Sequence, residues 1–369
     1  MTPRAPAPGV DPAAALANIK DTVRREPPYR PTPRAAGHKL NQNESPYDLP
    51  PALKRAVLDR LGQVAWNRYP EVVPRALLER IGERTGWTAD GIVAGCGSND
   101  LLQAALTAIV SPGDAIVAPA PTFALYRVVS AIQGGRYRPV PLGHDFAYDI
   151  GALIAEARRE SAKAVILCAP NNPTGTDLPA GAVERMLAET AGLVLVDEAY
   201  QEFGGRTALG LLSDHPRLVI FRTFSKALGL AGLRFGYVLG HPAVVAEILK
   251  SKLPYSVNAL TLAAVEVVLG HAAEVEGHLL DIIRERKRVM DLCREIPGLT
   301  LFPSVTNFFM VRSEHTPASE IFARLRDEHD ILVRDLSAQP GLAGCFRVSV
   351  GTPADTDALV RGLRAVLGE

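Results

Sequence analysis

Residues 222–226, Arg-Thr-Phe-Ser-Lys, place two hydroxyl side chains and a primary amine directly after an apolar run. A lysine in this position is either a solvated charge at the end of a strand or an amine held in place for covalent chemistry. Alternation along an extended segment predicts that Thr223 and Ser225 lie on one face and that Lys226 is turned away from them. Together with the downstream Arg234, the two hydroxyls can clamp a phosphate group, since a guanidinium offers a fork of donors and each hydroxyl offers one.

Polar side chains also follow three other apolar runs, at the points where strands are expected to end. The run Gly-Ile-Val-Ala-Gly-Cys leads into Ser98 and Asn99, which open a helical pattern whose N–H groups favour a phosphate, although a plain turn accounts for them equally well. Asn172 lies in a turn after a later run, and its amide can donate a hydrogen bond into a site. Asp197 and Glu198 end the run Gly-Leu-Val-Leu-Val, where a buried carboxylate needs a bound cation, hydrogen bonds or a structural ion pair.

The elements that must position these residues alternate between strand-like and helical segments, as in proteins with a parallel sheet. Most apolar runs are continuous, which is typical of strands that helices cover on both faces. The pattern predicts a three-layer α/β domain with a mostly parallel seven-stranded sheet, whose strand candidates are GIVAGC, DAIVAPA, YRPVPL, KAVILCAP, GLVLVDEAY, LVIFRTF and FGYVLG. Ligands bind beyond the carboxyl ends of such strands, where the polar residues above are found.

A second, smaller α+β unit is predicted towards the end of the chain. A long helical pattern over residues 261–296 precedes the strand candidates TLFPS, NFFMVR, ILVRD and CFRVSV. We therefore divide the chain into an N-terminal arm that is part of the small domain (residues 1–45), a large domain (46–257) and a small C-terminal domain (258–369).

Composition narrows the expected partners of the protein. The 369 residues carry 40 Lys and Arg against 40 Asp and Glu, so a formal net charge of zero gives no electrostatic footprint for nucleic acid or an anionic membrane. The four cysteines lie far apart without metal-ligand spacing, which favours reduced thiols, no bound metal and a cytoplasmic location. Residues 1–20 lack a signal-peptide pattern, and no apolar stretch is long enough to span a membrane. Small molecules or another subunit are the expected partners.

Pyridoxal phosphate is a cofactor that needs all of these groups at one rim. Its aldehyde condenses with an amine, its pyridine nitrogen needs a carboxylate to remain protonated, and its phosphate needs a cradle of donors. Ordered motifs along nearly the whole chain resemble those of the fold-type-I aminotransferases, most closely the histidinol-phosphate aminotransferase family. They are N-E-S-P (43–46), R-Y-P (68–70), P-T-F (121–123), N-N-P-T-G (171–175), D-E-A-Y (197–200), R-T-F-S-K-A-L-G-L-A-G-L-R-F-G-Y (222–237) and F-R-V-S-V-G-T (346–352).

The resemblance implies a role around the cofactor for each matched residue. Lys226 forms the internal aldimine and later moves the proton between substrate Cα and cofactor C4′, so it is both nucleophile and general acid and base. Asp197 pairs with the pyridinium nitrogen, and Phe123 stacks on the ring. Tyr200 and Asn172 hydrogen-bond the phenolic oxygen. The phosphate is held by the backbone N–H groups of Ser98 and Asn99, by the side chains of Thr223, Ser225 and Arg234, and by the partner subunit's Tyr69. That last contact implies a homodimer with shared active sites.

By the same resemblance, four residues face the substrate: Tyr29, Asn43, Arg334 and Arg347. Arg347 matches the arginine that binds the α-carboxylate of glutamate. Together with Arg334 it can serve both half-reactions, by binding the carboxylates of glutamate in one and the phosphate of histidinol phosphate in the other. The alternative for Arg334 is an ordinary surface or interface salt bridge. The implied reaction is the ping-pong transfer of an amino group between L-histidinol phosphate and 2-oxoglutarate in histidine biosynthesis. Its products are imidazole acetol phosphate and L-glutamate.

Several other functions share parts of this pattern. An aromatic amino acid aminotransferase keeps every cofactor residue and differs only at the substrate end, and a threonine-phosphate decarboxylase has a similar layout but removes a carboxylate. A non-catalytic regulator that binds the cofactor would carry a basic helix-turn-helix segment, which the sequence before residue 50 lacks. A serine–lysine hydrolase needs an S-x-x-K spacing and a nicotinamide dehydrogenase needs the full glycine fingerprint, and the sequence has neither.

Overall fold

The computed structural model of the chain describes residues 11–28 and 36–368. Near its start lie two single-turn helices, α1 (Ala13–Leu16) and α2 (Asp21–Arg24), and the short strand β1 (His38–Lys39). The guanidinium of Arg127 binds both carboxylate oxygens of Glu26 at 2.7 Å, which fixes the end of this N-terminal segment to the larger unit.

A seven-stranded sheet forms the centre of the larger unit. Its strands are β2 (Ile92–Gly95), β3 (Ala115–Ala120), β4 (Arg136–Pro141), β5 (Ala164–Cys168), β6 (Leu193–Asp197), β7 (Leu218–Thr223) and β8 (Gly236–Gly240). They lie in the order β2-β8-β7-β6-β5-β3-β4, and only β8 is antiparallel to its neighbours. The predicted mostly parallel sheet of seven strands is confirmed, since each predicted strand contributes one of them.

Helices cover both faces of this sheet. They are α3 (Pro51–Gly62), α4 (Arg75–Thr85), α5 (Ser98–Ile109), α6 (Leu125–Ile132), α7 (Ile150–Arg159), α8 (Ala182–Glu189), α9 (Pro242–Ser251) and α10 (Ala259–Gly270). Two separate apolar cores result, one with α3, α4, α7, α8 and α10, and the other with α5, α6 and α9. Alternate residues of β5 enter each core, as the two faces of a buried strand require: Val165 enters the first and Ile166 the second. The three-layer prediction is confirmed.

The second unit packs helices on a small antiparallel sheet. Its elements are α11 (Ala272–Arg294), β9 (Leu299–Leu301), β10 (Phe308–Ser313), α12 (Ala318–His329), β11 (Ile331–Leu332), β12 (Arg334–Asp335), β13 (Cys345–Ser349) and α13 (Pro353–Leu367). The sheet order is β12-β13-β10-β9, and β1 pairs in parallel with β11 beside it. The long predicted helix is divided at His271 into α10 and α11. Helix α10 follows the predicted domain boundary at residue 257, yet it packs in a core of the larger sheet. Packing is therefore continuous across that boundary, and the division into domains stays a prediction.

The described part of the chain shows no group of side chains suited to a metal ion, and all four cysteines are free thiols. Within the same residues, none of the helices is both long and apolar enough to cross a bilayer.

Candidate active site

A cavity of about 580 Å³ opens at the carboxyl ends of the parallel strands, where the two units meet. Most predicted site residues line it: Asn43, Ser98, Asn99, Phe123, Asn172, Asp197, Tyr200, Thr223, Ser225, Lys226, Arg234, Arg334 and Arg347. Among the predicted site residues that the structure describes, Tyr69 alone does not line the cavity. Its side chain is 82% exposed and stacks on Tyr255. Tyr29 lies outside the described residues.

Lys226 lies on the same cavity as Thr223 and Ser225, so the prediction that it is turned away from them is wrong. Strand β7 ends at Thr223, and the backbone N–H of Ser225 donates to Thr223 Oγ1 at 3.1 Å. This side-chain contact bends the chain out of the extended conformation on which the alternation argument depended.

The amine of Lys226 is held by backbone carbonyls of the segment that follows β1. Nζ donates to Gln42 O at 3.1 Å and to Asn43 O at 3.0 Å, and it lies 5.7 Å from the centre of the Tyr200 ring. The amine therefore has a fixed position at the wall of the cavity, and no carboxylate of the described residues forms an ion pair with it.

Burial, followed by neighbouring charges, sets the ionisation of this amine. Desolvation is the largest cause that lowers the pKa of Lys226 to about 7, and the positive charges of Arg347 and Arg234 lower it further. The carboxylates of Glu44 and Asp197 act in the opposite direction. Near neutral pH the amine is thus present in both charged and neutral forms, as a group that attacks a carbonyl and then carries a proton requires.

Asp197 is a buried carboxylate at the end of β6, with two donors of its own. Tyr126 OH donates to Oδ2 at 2.7 Å and Ala199 N–H donates to Oδ1 at 3.1 Å. Desolvation raises the pKa of Asp197, and these two hydrogen bonds lower it. Sequence reasoning missed Tyr126, although its place one helical turn after Phe123 was a usable signal; the two rings pack edge to face, 5.6 Å apart.

Glu198 faces the opposite side of the strand from Asp197 and serves a structural ion pair. Arg222 Nη2 lies 2.8 Å from Glu198 Oε2, which also accepts from Thr207 Oγ1 at 3.0 Å. The carboxylate is fully buried and does not line the cavity. Glu198 therefore forms the structural ion pair that the sequence analysis allowed for a buried carboxylate at this position.

An anion cradle lies where α5 begins. Gly97 has a φ of 81°, and a Cβ atom there would lie 2.6 Å from Arg234 Nη2, so a side chain would displace the guanidinium from the helix N-terminus. Arg234 Nη1 donates to Ser225 Oγ at 3.1 Å. A guanidinium, a hydroxyl and the N–H groups that open a 12-residue helix thus converge at Ser98 and Asn99, which is the donor set that phosphate binding uses.

A hydrogen-bond network crosses the cavity wall from Asn43 to Arg347. Tyr200 OH accepts from Asn43 Nδ2 at 3.1 Å and from Asn172 Nδ2 at 3.4 Å. Arg347 donates from Nη1 to Asn172 Oδ1 at 2.5 Å and from Nη2 to Asn41 O at 2.9 Å. Desolvation raises the pKa of Tyr200 to about 12, so its hydroxyl remains protonated at neutral pH.

Arg334 and Arg347 are direct partners in the antiparallel pairing of β12 with β13, and both line the cavity. Like charges placed opposite each other destabilise a sheet. Within the described residues, the side chain of Arg334 has no hydrogen bond or ion pair, and a salt bridge across a subunit interface stays the alternative for it. An arginine pair of this kind suits a ligand that carries anionic groups.

Several cavity residues had no role assigned to them from the sequence. They are Asn41, Gln42 and Glu44 beside Asn43, Thr122 before Phe123, and Leu336 and Gln339 after Arg334. The first three belong to one polar stretch, Asn-Gln-Asn-Glu, and that run of polar residues after the apolar Leu40 was the available signal.

The chain belongs to the class I and II aminotransferases, because residues 37–363 match the sequence profile of that family. Histidinol-phosphate aminotransferase 2 of Nitrosococcus oceani is 36% identical over 349 residues, which are 94% of this chain and 96% of that protein. The histidinol-phosphate aminotransferase of Chlorobium phaeobacteroides is 37% identical and aligns with 90% of this chain and 92% of its own. Among solved structures, the histidinol-phosphate aminotransferase of Sinorhizobium meliloti in complex with pyridoxal-5′-phosphate matches with a TM-score of 0.87 and 27% identity, over 96% of this chain and 99% of that chain.

Proposed function

We propose that this protein uses pyridoxal phosphate to transfer an amino group between L-histidinol phosphate and 2-oxoglutarate, in two alternating half-reactions. The products are imidazole acetol phosphate and L-glutamate, and the pathway is histidine biosynthesis. The observation that carries the proposal is the Lys226 amine, with a pKa lowered to about 7, in one cavity with a buried carboxylate and an anion cradle. The histidinol-phosphate aminotransferases above, which align with nearly the whole chain, support the substrate.

The residues of the cavity fit pyridoxal phosphate at each of its functional groups. When bound, the cofactor supplies an aldehyde for the amine and an electron sink for the substrate. Ser98, Asn99, Thr223, Ser225 and Arg234 hold the phosphate, Phe123 covers the ring, and Tyr200 and Asn172 bind the phenolic oxygen. Asp197 keeps the ring nitrogen protonated, a task that suits a carboxylate already fixed by the hydroxyl of Tyr126.

Lys226 performs the proton transfers of the reaction in this proposal. Its neutral Nζ takes the proton from substrate Cα, and the resulting ammonium group returns it at the other end of the transferred nitrogen. The pKa of about 7 suits both steps, because neither protonation state is costly to reach at neutral pH.

The arginine pair gives the substrate its orientation. Arg347 binds the α-carboxylate of glutamate. Arg334 binds the second anionic group, which is the phosphate of histidinol phosphate in the other half-reaction. Asn43 and Tyr29 complete the substrate end.

We further propose a cytoplasmic homodimer, in which the partner subunit's Tyr69 reaches the phosphate of the cofactor. The four free thiols support the cytoplasmic location, and the exposure of Tyr69 supports the interface.

The visible spectrum of the purified protein tests this function in single half-reactions. L-Histidinol phosphate is added to one sample and L-phenylalanine to another, at equal low concentration and without an amino acceptor. We expect rapid loss of the long-wavelength cofactor absorbance with histidinol phosphate alone. Loss with phenylalanine alone would replace the proposal with an aromatic amino acid aminotransferase, and no visible band after addition of pyridoxal phosphate would contradict cofactor use.

A further inference from the structure

The backbone turn at Asn43, beside Lys226, is strained. Asn43 has a φ of 55°, in the left-handed region that residues other than glycine rarely occupy, and it is 1% exposed. Such a conformation persists only where surrounding contacts hold it. Its effect is to direct two consecutive carbonyl oxygens, those of Gln42 and Asn43, at Nζ of Lys226.

Two side chains of the small antiparallel sheet region hold this turn. Asn307 Nδ2 donates to Asn43 O at 3.0 Å, so this oxygen accepts from both Asn307 and Lys226. Ser349 Oγ accepts from Asn43 N at 2.8 Å and lies 3.2 Å from Asn43 Oδ1. The backbone of Asn307 is itself fixed, since its carbonyl accepts from Val350 N at 2.8 Å. Neither Asn307 nor Ser349 lines the cavity, so each acts on the site through Asn43.

The two carbonyls determine where the amine can exchange a proton. A neutral amine has two N–H bonds and one lone pair, and an ammonium group has three N–H bonds. When Gln42 O and Asn43 O accept both N–H bonds of neutral Lys226, the lone pair points to the one remaining side, towards the cavity. After protonation, the third N–H bond occupies that same direction. The electron pair of the broken C–H bond remains with the substrate, and the nitrogen lone pair forms the new N–H bond.

We infer that Asn307 is a positioning residue for Lys226, which fixes the direction of proton transfer by holding the carbonyl of Asn43. The inference rests on the proposed aminotransferase function and deepens it. A residue that only stabilised the fold would affect the melting temperature and the amount of loaded protein. A positioning residue also affects the proton-transfer step of the protein that remains loaded.

The first measurement is the single half-reaction of the cofactor-loaded Asn307→Ala variant with substrate that carries hydrogen or deuterium at Cα. We expect the half-reaction of the variant to be about 10- to 100-fold slower than that of the wild type and to show a larger isotope effect. In steady-state turnover, KM should change less than kcat. Asn258→Ala is the control, because it removes a helix cap, the contact of Asn258 Oδ1 with Thr261 N, and Asn258 neither lines the cavity nor bonds to the turn at Asn43. Ser349→Ala weakens the same turn from its other side and replaces Asn307→Ala if that variant does not fold.

The second measurement needs no cofactor. Acetylation of Lys226 by acetic anhydride is followed against pH in cofactor-free protein, with the residue identified by peptide mass spectrometry. Carbonyl acceptors favour the ammonium form, so we expect the midpoint in Asn307→Ala to lie about one pH unit below that of the wild type and of Asn258→Ala. An unshifted midpoint, or a wild-type isotope effect in loaded Asn307→Ala, would overturn the inference. A wild-type protein without any half-reaction would contradict the proposed function instead.

Discussion

Four charged side chains surround Lys226, and they act on its amine in opposite directions. Arg347 and Arg234 favour the neutral form, whereas Glu44 and Asp197 favour the charged form, on top of a larger desolvation effect. The chemistry of this residue is therefore a property of its neighbours, and substitutions that never touch Nζ can change it.

The first prediction concerns the pH dependence of Lys226. Only the neutral amine attacks an aldehyde, so the rate at which cofactor-free protein reacts with pyridoxal should rise through pH 7 and level off above it, because the pKa is lowered to about 7. Glu44→Gln removes a negative charge and should lower the midpoint, and Arg347→Gln removes a positive one and should raise it. Borohydride trapping at Lys226 measures the rate. Equal midpoints in all three proteins would show that burial alone sets the value.

The second prediction concerns the hydroxyl that supports Asp197. Tyr126→Phe removes the donor at 2.7 Å from Oδ2, so the pKa of Asp197 should rise and its pairing with the cofactor nitrogen should weaken. A hydrogen bond to a charged group is worth about 1.5–3 kcal/mol, so we expect the Kd for pyridoxal phosphate to increase by about tenfold or more. Equilibrium dialysis measures it.

The matched control for this substitution is Tyr148→Phe. Tyr148 is also buried in the larger unit, but its hydroxyl donates to the backbone oxygen of Cys168 and has no hydrogen bond to Asp197. Equal losses of cofactor affinity in both variants would mean that the hydroxyl of Tyr126 has a general structural role.

At the scale of elements, the pairing of β12 with β13 places two guanidinium groups side by side. The third prediction is that Arg334→Gln weakens function and strengthens the fold at the same time. KM for the phosphorylated substrate should rise by about tenfold or more, since a charge-assisted contact is lost, while the free energy of unfolding should increase by about 0.5 kcal/mol as the like-charge pair disappears.

Steady-state kinetics and urea unfolding check these two quantities. Arg312→Gln on β10 is the control, because Arg312 stacks over Phe302 at 5.1 Å and does not line the cavity. An unchanged KM in Arg334→Gln would remove Arg334 from the substrate site.

Elements with local signals were predictable from the sequence, and contacts between distant segments were not. Short strand-like runs, most of them continuously apolar, identified every strand of the large sheet, and the polar residues after them identified most of the cavity wall. The pairing of β1 with β11 escaped prediction because each strand has two residues, too few for a periodic pattern. Asn307 escaped it as well, since its role depends on a partner 264 positions away. The orientation of Lys226 was wrong because one hydroxyl contact, from Ser225 N to Thr223, overrides the extended geometry.

At the scale of the whole molecule, the exposed aromatic and aliphatic residues near Tyr69 are consistent with the proposed homodimer. Tyr69 stacks on Tyr255 with 4.6 Å between ring centres, and Trp66 and Leu253 are 75% and 72% exposed in the same two segments. Large apolar side chains grouped on a surface favour a protein partner, and a second copy of the chain is the one that the shared-site proposal requires.

The fourth prediction is that two inactive variants restore each other. Lys226→Ala and Tyr69→Ala should each lose nearly all turnover. If Tyr69 acts across the interface, a mixed dimer has one site with both substitutions and one site with neither. Random mixing gives half mixed dimers, so about a quarter of wild-type activity should return after co-refolding. No recovery, with mixed dimers present by native mass spectrometry, would place Tyr69 in its own subunit's site.

The turn at Asn43 also has a consequence for the order in which the protein is made. Its two anchors, Asn307 and Ser349, lie 264 and 306 positions further along the chain, so a ribosome makes both after Lys226. In an unfolded chain Lys226 is a solvated lysine with an ordinary pKa of 10.5, so its amine is almost fully protonated at neutral pH. The lowered pKa of Lys226 is therefore a property of the folded chain, and the turn that holds its amine can close only after residue 349 of 369 has been made.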